Sequence, residues 1–189
     1  GMVILDNAGR VIRPALLWND TRSAPQAEKL IERFGTQWLI DNTGSVPVAS
    51  FTSTKLAWVT ANEPQHAEQI AAVMLPHDYL SWRLAGFGPV GDPTAPLGPD
   101  YSQSFTDRSD ASGTGYFNPQ TNAYLPEVLS AILPTEVARA VVLPRVLGPL
   151  ETGGRVYGTE TLIGAGMGDN AGAAQGLRYP PPAMTAVNG

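Results

Sequence analysis

A glycine-rich segment near the end of the chain places the strongest constraint on the fold of these 189 residues. Residues 162–177, LIGAGMGDNAGAAQGL, predict a strand, a tight turn and a helix of small residues that packs closely on its neighbours. The single acidic residue of the segment is Asp169, and Asn170 follows it. A strand-to-helix turn of this kind favours an α/β fold, in which ligands gather at the carboxyl ends of the strands.

The rest of the chain alternates apolar runs with amphipathic segments, which also favours the α/β class. Residues 2–18 predict a β-hairpin, and a helix is expected from an N-cap at Ser23 to Gly35. Further helices are expected at residues 53–63, 64–73, 78–84 and 125–133, with a short buried strand at 73–75.

The predicted domain organisation is one partial domain over residues 1–178, followed by an irregular Pro-rich tail at 179–189. Residues 86–104 contain four Gly and four Pro, so we expect a surface loop within the domain rather than a regular element. Two acids, Asp107 and Asp110, occur with Ser109 and Ser112 and predict a self-capping polar turn that feeds a strand, although contact with a ligand stays open.

Composition excludes several classes of function. Lys and Arg total 12 against 17 Asp and Glu, and a net charge of −5 argues against nucleic acid as a partner. The absence of Cys excludes disulfides and thiolate metal sites. No apolar run approaches the roughly 20 residues of a membrane span, and the start does not resemble a signal peptide. We therefore expect a cytoplasmic protein without a membrane partner.

The local pattern around Asp169 leaves two roles open. A phosphate loop fits poorly, because Asp169 stands where a dinucleotide fingerprint that begins at Gly164 and Gly166 needs its third glycine. A catalytic base is one remaining role, since the positive end of a helix favours an ionised carboxylate. A plain helix N-cap is the other, and the pattern alone favours the cap.

Structural roles are expected for most of the other charged residues. Asp20 and Arg22 predict an ion pair in the turn before the first helix. Lys55, at the start of a helix, is expected to be solvated. His77 and Asp78 form a conceivable dyad, but no Gly-x-Ser-x-Gly motif exists to use it, so Asp78 is interpreted as a helix cap.

Five segments, in order, resemble the xylulokinase branch of the FGGY carbohydrate kinases. They are LLWNDTRS (16–23), FTSTKLAWV (51–59), LPHDYLSWRLAG (75–86), TDRSDASGTGYFN (106–118) and GAGMGDNAGAAQGL (164–177). The resemblance implies part of a ribonuclease-H/actin-like kinase domain, with a mixed sheet and flanking helices. It also implies that the first strands and the second, nucleotide-binding domain of that fold lie outside this chain.

The resemblance implies transfer of the γ-phosphate of ATP, with Mg²⁺, to a hydroxyl of a pentulose, D-xylulose first among them. Asp169 would be the catalytic proton acceptor, Asn170 would bind an adjacent hydroxyl, and Trp18 would lie against the sugar carbons. The chain shows no binding motif for ATP or Mg²⁺.

Two segments typical of the family are not found before Met2: its Asp-x-Gly-Thr phosphate segment and a Met-His pair that contacts the sugar. We therefore expect the isolated chain to show no measurable kinase activity and weak or no xylulose binding. Two alternatives stay open: a non-catalytic sugar-binding module, and a self-associating structural domain that forms a homodimer through exposed sheet edges.

Overall fold

A computed structural model describes residues 1–177 of the chain, and these residues form an α/β arrangement of short elements. The helices are α1 (Ala24–Phe34), α2 (Thr36–Thr43), α3 (Thr52–Asn62), α4 (Pro64–Ala67), α5 (Pro76–Leu84), α6 (Arg108–Ser112), α7 (Pro126–Ile132), α8 (Thr135–Ala140) and α9 (Asp169–Gly176). The strands are β1 (Val3–Leu5), β2 (Ala72–Met74), β3 (Phe105–Asp107), β4 (Phe117–Asn118), β5 (Ala123–Tyr124), β6 (Arg145–Leu147), β7 (Thr152–Arg155) and β8 (Leu162–Gly164). The expected tail at 179–189 lies outside the described residues.

The strands form four pairs with both parallel and antiparallel geometry. β1 pairs with β2, β4 with β5, and β7 with β8, all antiparallel, whereas β3 and β6 are parallel. The parallel pair places Asp107 at the carboxyl end of β3, opposite Leu147. The α/β class and its mixed strand pairing are therefore confirmed.

The predicted N-terminal hairpin is present only in part. Single bridges join Leu5 to Val11 and Met2 to Leu16, so the chain does turn back on itself. The second arm, however, is not a strand. β1 instead pairs along its whole length with β2, because the buried run at 72–74 offers a continuous apolar partner.

The first helix begins and ends where the sequence predicts, and Ser23 takes the N-cap position, but its side chain does not form the capping bond. The Ser23 hydroxyl donates to the carbonyl oxygen of Ala49, 2.9 Å away, and no side-chain cap is formed. Gly35 ends α1 with a φ of +81°, a conformation that favours glycine. α2 follows at once, a helix that the sequence patterns did not predict.

The main core lies between α1, α3, α7 and the β1–β2 pair. α3 packs against both α1 and α7, which places its apolar face at the centre of the cluster. Its buried members include Ile4, Leu30, Leu56, Val59, Val73 and Leu129. This core holds the loops before α1 and α3 in place on one side of the molecule.

The Gly- and Pro-rich loop at 86–104 is irregular, as predicted, except for a 3-10 helix at Tyr101–Gln103. Trp82 of α5 is fully buried beneath it. The indole ring stacks on Phe87 and Tyr101, with ring centroids 6.2 and 5.6 Å apart, and Nε1 donates to the Asp100 carbonyl oxygen at 2.9 Å. Trp82 therefore fixes both ends of the loop.

α9 follows β8 and the glycine-rich turn, which confirms the predicted strand, turn and helix. The expected close packing of this helix is wrong for the described residues, because none of its side chains is buried. Within residues 1–177, no helix is long and apolar enough to cross a membrane.

Truncation of Trp82 should unfold the protein more easily, since it removes both aromatic stacks and the bond to Asp100. We expect Trp82→Ala to lower the free energy of unfolding by about 3–5 kcal/mol in urea titrations. The matched control is Leu84→Ala in the same helix, where the side chain is 54% exposed and the expected loss is about 0.5 kcal/mol. Equal losses for the two variants would contradict the role given to Trp82.

Candidate functional site

An open cleft of about 730 Å³ brings together four separate parts of the chain. It is lined by the loop before α1, the segment before α3, helix α6 and the start of α9. The lining residues are Trp18, Ser50, Phe51, Ser109, Asp110, Ser112, Gly113, Gly168, Asp169, Asn170, Ala171 and Ala174. All three residues singled out from the sequence, Trp18, Asp169 and Asn170, therefore lie on one cleft.

Asp169 is the first residue of α9, and its side chain is exposed to the cleft. Gly168 takes the N-cap position, so the plain N-cap role for Asp169 is not what the structure shows. One carboxylate oxygen of Asp169 accepts from the backbone N–H of Asn170, 2.7 Å away. The carboxylate thus stands at the positive end of a helix while remaining accessible to a small molecule.

A hydrogen bond joins the glycine-rich turn to α6. The backbone N–H of Gly168 donates to Ser109 Oγ at 2.8 Å. The Ser109 hydroxyl in turn donates to Asp107 Oδ1, which also accepts the backbone N–H groups of Ser109 and Asp110. The predicted self-capping turn is confirmed for Asp107 and Ser109, whereas Ser112 donates to the Arg108 carbonyl oxygen instead. Through Ser109, this turn also holds the glycine-rich turn before Asp169.

Two glycines of the turn are required by its geometry. Gly166 has a φ of +84°, in the left-handed region. Gly168 approaches α6 so closely that a Cβ atom would lie 3.2 Å from Asp110 Oδ1. The glycines therefore permit a tight turn and a close approach to a carboxylate, in place of the phosphate contact that such turns often make.

The part of the cleft that precedes α1 and α3 depends on a buried cation. Trp18 is 72% exposed, and it lies on a loop whose Asp20 carbonyl oxygen accepts from Lys55 Nζ at 3.0 Å. Lys55 Nζ also donates to the Ala49 carbonyl oxygen at 2.9 Å, next to Ser50. The expectation of a solvated Lys55 is wrong: the side chain is fully buried, and burial lowers the pKa of its ammonium group.

The expected ion pair in the loop that carries Trp18 is present. Arg22 Nε lies 2.9 Å from both carboxylate oxygens of Asp20, and hydrogen bonds from Arg22 lower the pKa of Asp20. The guanidinium also lies over the Trp58 ring at 4.9 Å. This ion pair stabilises the loop, and neither Asp20 nor Arg22 lines the cleft.

Behind the cleft, the imidazole of His77 lies among three carboxylates. Its Nδ1 is 3.0 Å from Asp110 Oδ2, and its Nε2 is 3.0 Å from Asp78 Oδ1 and 3.7 Å from Asp107 Oδ2. Burial disfavours the charged ring, but Asp110 and Asp78 outweigh it and raise the pKa of His77 to about 10. His77 is therefore an imidazolium at neutral pH.

Asp78 has the helix-capping role predicted for it and a second role beside it. Its Oδ2 accepts from the backbone N–H of Leu75 at 2.8 Å, at the start of α5. Its other oxygen faces His77. Burial raises the pKa of Asp78, and the neighbouring imidazolium opposes that shift.

The group of His77, Asp107 and Asp110 has candidate metal-ligand atoms within 4.8 Å of one another. The two ring nitrogens of His77, however, face different carboxylates, so the imidazolium itself supplies the positive charge. Mg²⁺ prefers an octahedral set of oxygen ligands. This group therefore does not fit Mg²⁺.

The chain matches the N-terminal domain model of the FGGY family of carbohydrate kinases over residues 1–171. The chain belongs to the FGGY family. It is 45% identical to a xylulose kinase of Streptomyces coelicolor and 44% identical to one of Streptomyces rubiginosus. Each alignment covers 96% of this chain and 35% of the relative, so the chain spans about a third of the length of the curated relatives it matches.

Solved structures agree with the actin-like kinase fold. The xylulose kinase of Bifidobacterium adolescentis superposes with a TM-score of 0.85 at 43% identity, over 95% of this chain and 42% of that one. A glycerol kinase of Plasmodium falciparum superposes with a TM-score of 0.75 at 19% identity, over 94% of this chain and 34% of that one, which shows the shared fold alone. The fold expected from the five sequence segments is thus confirmed.

Sequence reasoning missed two features of the site. Lys55 and His77 were expected to have no part in it, yet each holds a residue or loop that lines the cleft. The signal for His77 was its place beside Asp78 in a segment shared with the kinase family. No local pattern showed that its partners would be Asp107 and Asp110, some 30 positions later in the chain.

Removal of the Ser109 hydroxyl should loosen the turn before Asp169. In Ser109→Ala, the Gly168 N–H loses its acceptor, so we expect its amide hydrogen to exchange about fivefold to tenfold faster. Ser112→Ala is the control, because Ser112 lies in the same helix and cleft but donates to the Arg108 carbonyl oxygen. Unchanged exchange at Gly168 in Ser109→Ala would show that the bond does not hold the turn.

The raised pKa of His77 predicts a specific dependence of stability on pH. The folded value of about 10 lies above the ordinary 6.5, so the stabilisation is complete below pH 6.5 and is lost as the pH rises to about 10. We expect wild-type protein to lose more stability than His77→Gln between about pH 6 and about pH 9 in urea titrations. Equal losses in the two proteins would contradict a bound imidazolium.

Proposed function

We propose that this chain forms the sugar-binding part of a kinase that transfers the γ-phosphate of ATP to a hydroxyl of a pentulose. The observation that carries the proposal is the shared cleft, because Trp18, Asp169 and Asn170 line it although they lie some 150 residues apart in the sequence. The names of the relatives favour D-xylulose as the sugar, at 44–45% identity.

In this proposal Asp169 accepts the proton of the sugar hydroxyl as its oxygen attacks the γ-phosphorus. General-base assistance of this kind contributes about 10²- to 10⁴-fold to the rate. The position of Asp169 suits the role in two respects. Its carboxylate is exposed to the cleft, and Gly168 rather than Asp169 takes the N-cap position of α9.

The neighbours of Asp169 suit a polyol. Asn170 offers both a donor and an acceptor to an adjacent hydroxyl. Trp18, exposed in the same cleft, offers an apolar ring to the carbons of the sugar. Ala171 and Ala174 keep the helix side of the cleft open to a small ligand.

Phosphoryl transfer also needs a nucleotide cradle and a metal ion. The described residues supply neither, and the chain covers about a third of the curated relatives. We therefore propose that the 189-residue chain binds on the sugar side of the reaction and does not turn over by itself.

The proposal is tested with a hybrid enzyme in which residues 1–171 replace the matching segment of the Streptomyces coelicolor relative. We expect the hybrid to consume ATP with D-xylulose in a coupled assay, and Asp169→Asn to lower its kcat by about 10²- to 10⁴-fold. The 189-residue chain assayed alone should stay at background.

The control for the hybrid is Asp41→Asn, an exposed acid on α2 that is not among the cleft residues. Its kcat should stay within about twofold of the unaltered hybrid. A folded hybrid that shows no activity with any pentulose, or one whose activity survives Asp169→Asn, would overturn the proposal. Turnover by the 189-residue chain alone would contradict the proposal that the chain binds the sugar but does not catalyse the transfer by itself.

A further inference from the structure

Asp110 lies on the same cleft as Asp169 and faces the turn that leads to it. Its side chain is 30% exposed, and its Oδ1 is 3.2 Å from the position that a Cβ atom on Gly168 would take. Gly168 directly precedes Asp169, so the two carboxylates flank one glycine. The cleft therefore presents two acidic groups to a ligand.

The Asp110 carboxylate does not cap α6. The cap of α6 is Asp107, whose Oδ1 accepts the backbone N–H groups of Ser109 and Asp110. Among the described residues, no backbone N–H donates to the Asp110 side chain. Its Oδ2 lies 3.0 Å from His77 Nδ1, and the Asp107 side chain and the N-terminal ammonium group also lower the pKa of Asp110. Oδ2 of Asp110 is thus bound by His77, and Oδ1 faces the glycine-rich turn at Gly168.

Behind Asp110 lie three buried polar atoms that have no well-aligned hydrogen bond. These are His77 Nε2, Asp78 Oδ1 and Asp107 Oδ2, and the residues Asp78 and Asp107 are 1% and 5% exposed. Burying carboxylates at this depth is costly unless a cation accompanies them. The imidazolium meets that need, and hydrogen bonding to it lowers the pKa of Asp110.

We propose that Asp110 is a second acceptor for a substrate hydroxyl, and that His77 is the residue that positions it. This inference rests on the proposed function and deepens it. The substrate class is a polyol with neighbouring hydroxyls, one for Asp169 and another for Asp110. A sugar that lacks the second hydroxyl leaves the Asp110 carboxylate without its donor, which disfavours binding.

The inference is tested with the 189-residue chain, titrated with D-xylulose and with its 3-deoxy and 4-deoxy analogues. Ligand-observed NMR measures the weak binding that the inference requires of the isolated chain. We expect Asp110→Ala to raise the Kd for D-xylulose at least tenfold. One deoxy analogue should bind unaltered chain and Asp110→Ala equally weakly, because the bond is already absent. Asp41→Asn, on α2 and outside the cleft lining, should change no Kd by more than about twofold.

His77 is tested by the same comparison of sugars. In His77→Gln, the preference for D-xylulose over the deoxy analogue should fall about threefold or more, while the Kd for the analogue stays unchanged. A merely structural defect would weaken both ligands together. Asp110→Asn, which keeps the shape and one acceptor oxygen, should lie between the unaltered chain and Asp110→Ala, and circular dichroism verifies the fold of each variant.

An Asp110→Asn variant that is folded and binds every sugar like the unaltered chain would overturn the inference. This holds even if Trp18→Ala weakens binding, since that result supports only the location of the sugar in the cleft. Failure of the unaltered chain to bind D-xylulose up to its solubility limit would also overturn it. The hybrid enzyme tests the proposed function separately, since its activity depends on Asp169 and does not require the 189-residue chain to bind sugar by itself.

Discussion

The cleft depends on the ion pairs between the His77 imidazolium and three carboxylates. It joins the starts of α5 and α6 and the end of β3, because Asp78, Asp107 and Asp110 come from these three elements. Three carboxylates this close would repel one another without a cation between them. The charge of the ring therefore allows the Asp107 carboxylate to cap α6 and to accept the Ser109 hydroxyl. Ser109 Oγ in turn accepts the N–H of Gly168, which precedes Asp169.

Lys55 is the second buried cation beside the cleft, and it stabilises the loops before α1 and α3. Its ammonium group donates to the carbonyl oxygens of Asp20 and Ala49, so it joins two loops rather than compensating buried acids. Neutral carbonyl groups offset less of the cost of burying a charge than carboxylates do. This difference explains why burial lowers the pKa of Lys55, whereas the carboxylates raise that of His77.

Local patterns predicted the parts of the fold whose causes are local. Gly35 ends α1 and the residues around Asp169 form a strand, turn and helix, since backbone conformation and periodicity are decided within a few residues. The pairing of β1 with β2 across some 70 residues was not predicted, because strand partners depend on packing. For the same reason, the burial of Lys55 and the partners of His77 became visible only in three dimensions.

Under the proposed function, the charges of the cleft favour the sugar side of the transfer over the phosphate side. Its lining contains the carboxylates of Asp110 and Asp169 and, among the described residues, no Lys or Arg. Such a surface repels phosphate groups, but it accepts hydrogen bonds from hydroxyls. Stabilising the charge that develops on a transferred phosphoryl group requires cations, and neither His77 nor Lys55 lines the cleft. The positive charge must therefore come from outside this lining, so the same acids that suit a polyol also keep the phosphate donor from binding in its place.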